Sequence, residues 1–77
     1  MMTQNEMILD HLKTFGRITP LKALEEYGCM RLSARIADLK ERGYRDNIRT
    51  EFISRKNRFG KTVTFAEYIF TEGEKNE

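Results

Sequence analysis

The chain holds one histidine, His11, and one cysteine, Cys29. These residue types serve most readily as a general base and a nucleophile near neutral pH. His11 falls in a helical stretch beside Asp10 and Leu12, with no cysteine or serine close in sequence, and reads as a solvated surface side chain rather than a catalytic group. Cys29 falls in a tight turn and reads as a small packed hydrophobe, because a reactive thiol needs an exposed, electropositive setting. Glu25 and Glu26 are adjacent and point about 100° apart on a helix, so they make no carboxylate pair. No glycine-rich loop precedes a helix, and no Cys/His spacing suits a metal. Enzymatic chemistry, a cofactor, a metal and a small-molecule substrate are therefore not expected.

The side chains with a clear chemical task are cations. Arg55, Lys56, Arg58 and Lys61 crowd around Gly60 in one short segment. A basic hairpin of this kind can follow a phosphate backbone or probe a minor groove. The plainer alternative is that these cations shield strand edges from pairing with another sheet. Phe59 lies among them and admits three roles: a wedge, a partner contact, or a ring folded back onto the sheet, the last being the first expectation.

Charge along the chain sharpens the contrast. The formal net charge is only +2, but residues 31–61 carry ten basic and four acidic side chains, a local balance of +6. Residues 1–30 balance at −1 and residues 62–77 at −3. Such segregation makes a polyanion the natural partner for the middle of the chain. With 77 residues there is room for one small core. The hydrophobic and charged fractions, 39% and 34%, suit a globular protein. No basic leader and no long apolar run appear, so membrane association is not expected and a cytoplasmic location is.

The elements that position the cations follow from local signals. Thr3 and Glu6 have the spacing of a capping box and start a first helix, striped by Met7, Ile8, Leu12 and Phe15 and ended by Gly16. Arg17 and Ile18 form a short extended link. Thr19-Pro20 opens a second helix of about two turns, with Leu21, Ala23, Leu24 and Tyr27 as its apolar side and Gly28 as its stop. After a tight turn, Leu32, Ile36 and Leu39 define a third helix near Arg31–Arg42, ended by Gly43. Alternation then begins at Ile48, and Thr62–Thr71 is rich in β-branched and aromatic residues, which predicts a two-stranded hairpin turning at residues 57–61. Residues 1–71 form one domain in this reading, and residues 72–77, EGEKNE, form a disordered acidic tail.

Two helices joined by a very short turn make a helix-turn-helix unit. The outer face of the third helix carries Ser33, Ala34 and Ala37, small enough to let its backbone approach a duplex, with Arg31 and Ser33 near its N-terminal end to reach base edges or phosphates. Small residues are also ordinary on helix surfaces. Arg35 lies about 60° from the inward direction; base contact and a place at the core edge, paired with a carboxylate or a phosphate, are both open to it, the second being the first expectation.

The segment RLSARIADLKERGY, residues 31–44, together with the hairpin after it, resembles the winged helix-turn-helix family of DNA-binding domains. The resemblance runs from Asn5 to about Phe70 and is closest to small stand-alone helix-turn-helix proteins of bacteriophages and prophages. Leu39-Lys40-Glu41-Arg42-Gly43, followed by Tyr44, matches the family's helix ending, whereas Arg45-Asp46-Asn47 is inserted before the first wing strand. The resemblance implies a mainly α fold with a β-hairpin, three helices and a wing over residues 48–70. It also implies double-stranded DNA as partner. The expected DNA-binding residues are Arg31, Ser33, Ala34, Arg35, Arg55, Lys56, Arg58 and Lys61, although alanine at position 34 offers no hydrogen bond. A regulator of transcription or a recombination accessory factor is the implied role, acting as a homodimer that joins through the first helix or the Tyr68-Ile69-Phe70 end of the last strand. The alternative is an adaptor or inhibitor that uses the same fold to bind a protein complex.

Overall fold

A computed structural model describes residues 2–71. Helix α1 spans Gln4–Phe15, strand β1 Arg17–Ile18, α2 Pro20–Tyr27, α3 Leu32–Leu39, β2 Ile48–Lys56 and β3 Thr62–Phe70. The acidic tail expected over residues 72–77 lies outside the described residues. No helix among the described residues is long and apolar enough to cross a membrane.

The caps form where the sequence places them. The Thr3 hydroxyl accepts from the Glu6 backbone N–H, and the Glu6 carboxylate accepts from the Thr3 N–H at 2.8 Å. Thr19 caps α2 through the Lys22 N–H, with Pro20 at the first helical position. Gly28 closes α2 with φ 65°, a left-handed conformation that residues with a Cβ rarely adopt. The chain then reverses toward α3 within a few residues, and Cys29 is held in the core at 2% exposure, as a packed hydrophobe.

Leu32, Ile36 and Leu39 are buried together with Ile8, Leu12, Ile18, Ala23, Cys29 and Ile48. The i, i+4, i+7 stripe of α3 thus meets α1 and the base of the sheet. α-Helical geometry ends at Leu39, earlier than the Arg42 expected, because Lys40–Tyr44 widens into a π turn. Gly43, at φ 111°, breaks the helical backbone within that turn. The inserted Arg45-Asp46-Asn47 makes one short 3-10 turn that carries the chain into β2.

The hairpin belongs to a three-stranded antiparallel sheet of order β1-β3-β2, rather than standing alone. Arg17 and Ile18 pair with Ile69 and Tyr68. A two-residue strand shows no alternation, so nothing in residues 17–18 alone announces it. The Phe70 N–H donating to the Gly16 carbonyl at 2.9 Å fixes its register. Tyr68 and Phe70 pack against the core, and Ile69 is buried. That end of β3 is accordingly not the free dimer surface anticipated for it.

Three other expectations are corrected. His11 is not a solvated surface residue but is 6% exposed. Its Nδ1 shares a 2.7 Å hydrogen bond with the Tyr27 hydroxyl, tying α1 to α2. Ile8, His11 and Leu12, at i, i+3 and i+4, form the buried stripe of α1, and Phe15 lies outside it, largely exposed, its ring tilted at 45° to the His11 ring with centroids 4.7 Å apart. In α2 the inward pair is Ala23 and Tyr27, four residues apart, which leaves Leu21 and Leu24 exposed.

Burial lowers the His11 pKa from its ordinary value of 6.5. The unfolded chain therefore takes up this proton more readily than the folded one. Stability from this site is complete above about pH 6.5 and falls as pH drops through the depressed folded pKa. The urea midpoint of the wild type is expected to fall between pH 7.5 and 5.5, a window above most carboxylate titration. His11→Gln is expected to be less stable but flatter across the same window. A wild-type midpoint that stays level or rises on acidification contradicts this.

Candidate nucleic-acid interface

The N-terminal end of α3 is open. Arg31 occupies the N-cap position with φ −127° and ψ 67°, and no side chain caps the helix, in contrast to α1 and α2. Its carbonyl accepts from the Ala34 and Arg35 N–H groups, leaving the amides of Leu32 and Ser33 without a backbone acceptor in the same turn. Uncapped amides at a helix start favour negative charge. Arg31 and Ser33 are exposed, Ala34 is half-buried and Ala37 is exposed, so the outer face is small and accessible as expected.

Arg35 is placed differently from those residues. Its Nη2 lies 3.3 Å from the Asp38 Oδ2, which also accepts from the Asn5 Nδ2 at 3.3 Å. Of the partners anticipated for it, the carboxylate is present, within α3 itself, and the Asn5–Asp38 hydrogen bond joins α3 to α1.

The wing brings its cations together with few constraints. The turn is built from Asn57-Arg58-Phe59-Gly60. The Gly60 N–H donates to the Asn57 carbonyl at 3.0 Å, and the Asn57 N–H donates to the Lys61 carbonyl at 2.8 Å. The Asn57 Oδ1 accepts from the Phe59 and Lys61 N–H groups at 2.9 and 3.1 Å. Gly60 supplies the left-handed residue, φ 79°, that joins the four-residue turn to the return strand.

Arg55, Lys56, Arg58 and Lys61 are all exposed, and none pairs with a carboxylate among the described residues. Arg55 only donates to the neighbouring Ser54 carbonyl at 3.0 Å. By contrast, Arg17, Lys22, Arg35 and Arg49 each have an acidic partner. The division is informative: the cations paired within the fold lie on α2, α3, β1 and the start of β2, while the wing leaves its positive charge available.

A family model, that of the winged helix-turn-helix domain, matches residues 3–73. The chain belongs to that family. No curated protein matches it. The match runs from the capping threonine of α1 past the end of β3, so the winged helix-turn-helix assignment includes the helical pair α2–α3 and the whole wing. Three helices followed by the long hairpin are the fold expected from residues 5–70.

Some interface features escaped sequence reasoning. Arg42 and Arg45 are exposed on the connection between α3 and the wing, again with no carboxylate partner among the described residues. The +6 balance of residues 31–61 already contained them, but only the observed turn shows that their charge is unpaired. Phe59 is the other: it is 81% exposed rather than folded back onto the sheet. An open groove of about 410 Å³, lined by His11, Phe15, Ile18, Tyr27 and Glu67 among others, contains none of the candidate interface residues.

Proposed function

We propose that this winged helix-turn-helix protein binds double-stranded DNA, with the start of α3 in the major groove and the wing cations on phosphates. The observation that carries this is the wing itself: four exposed cations, uncompensated among the described residues, on an ordered turn. Phosphate contacts supply sequence-independent affinity and register, and the exposed α3 face is narrow enough for groove entry. Arg31 and Ser33 are the readers, Ala34 allows close approach, and Arg35 braces α3 through Asp38.

One such module spans few base pairs, so two copies on a two-fold site are the arrangement that gives useful specificity. Such a protein serves as a regulator of transcription or as an accessory factor in recombination, where occupancy or shape of a DNA site is the output. Selection of bound duplexes from a random pool tests the reading. The wild type is expected to enrich a short motif, and Arg31→Ala to relax one position by about 1–3 kcal/mol while binding persists. A pool that shows no enrichment, with binding indifferent to Arg31, contradicts the assigned reader.

A further inference from the structure

Phe59 is among the most exposed large apolar side chains described, at 81%, and it occupies the apex of the wing. Its position is not a consequence of a loose loop. The backbone N–H of Phe59 is bound by the Asn57 side chain, and the turn around it is closed by two further backbone hydrogen bonds. With Arg58 it takes the two central positions of the turn, from which side chains point away from the hairpin. Nothing in the hairpin covers the ring, and Arg58 and Lys61 flank it.

An ordered phenyl ring between cations is matched by a partner that alternates dense negative charge with flat apolar slots. Stacked base pairs between two phosphate backbones have that character, and a side chain of this kind inserted from the minor groove unstacks a step and kinks the duplex. We propose that Phe59 is a DNA wedge: with the flanking cations seated on phosphates, its ring enters a base-pair step and bends the site. The ligand class is therefore a duplex with an easily unstacked step under the wing, and pyrimidine–purine steps such as TA meet that need best. The inference rests on the DNA-binding reading, but it adds a shape preference at a position with no hydrogen-bonded base contact.

The full chain can be tested on duplexes carrying 2-aminopurine beside a central TA step, with donor and acceptor dyes at the ends. The wild type is expected to raise 2-aminopurine fluorescence and to shorten the end-to-end distance. Phe59→Ala is expected to abolish both signals and weaken binding by about tenfold, with the salt dependence unchanged. Phe59→Trp is expected to restore them. Arg58→Ala with Lys61→Ala is expected to do the reverse, flattening the salt dependence. If the wild type binds without either signal, or if Phe59→Ala retains both, the wedge is overturned while DNA binding stands. Absence of any wild-type duplex binding overturns both readings.

Discussion

Replacing Arg55, Lys56, Arg58 and Lys61 together by alanine is expected to lower duplex affinity on the order of a thousandfold near 0.1 M salt, while leaving the fold intact. Each phosphate neutralised by a cation releases counterions and contributes roughly 0.9 to the slope of log K against log salt. Removing four such charges should make the slope shallower by about 3.6, and at a tenfold dilution from molar salt that difference is the affinity loss. Stability should change little, because the four side chains are exposed and form no ion pair among the described residues. Electrophoretic or anisotropy titrations over a salt series, alongside urea melts, separate these effects. A variant that binds as tightly as the wild type at every salt concentration places the phosphate contacts elsewhere.

Leu12→Ala is expected to destabilise the protein by about 2–5 kcal/mol, a large share of the total stability of a domain this small. Leu12 is fully buried in α1 and belongs to the cluster that joins α1, α3 and the base of the sheet. Truncation removes its transfer free energy and leaves a cavity that surrounding helices cannot close completely. Thermal midpoints should drop by roughly 10–30 °C, since about 4–8 °C accompanies each kcal/mol in domains of this size. Leu21→Ala supplies the contrast: Leu21 is 63% exposed, and its truncation should change stability by no more than about 0.5 kcal/mol. A loss under about 1 kcal/mol for Leu12→Ala would show that the core is not centred on this stripe.

The parts of the fold legible in the sequence were those encoded by local chemistry. Thr3 with Glu6, Thr19 with Pro20, and Asn57 with Gly60 each announce a backbone hydrogen-bonding problem and its solution within a few residues. The Leu32–Ile36–Leu39 stripe was legible because helical period and burial coincide. What was not legible depended on tertiary contacts. His11 looks polar and therefore exposed until Tyr27, from another helix, supplies its hydrogen bond. Arg17 and Ile18 become a strand only because β3 passes beside them.

The same distinction holds at the interface. Clustered cations are visible in the sequence, but whether a given arginine is available depends on its neighbours in space. Arg35 is engaged by Asp38, whereas Arg42 and Arg45 have no acidic partner among the described residues. Exposing a phenyl ring is unfavourable, so the sequence alone favours a Phe59 that folds back. Asn57 binds the backbone so that the ring points outward.

The most direct test of DNA binding is a salt titration of the wild type on a duplex of arbitrary sequence. With the four wing cations on phosphates, log K should fall linearly with log salt with a slope of about −3.6. Association that is indifferent to salt, or no association with any duplex at about 50 mM salt, would contradict the account.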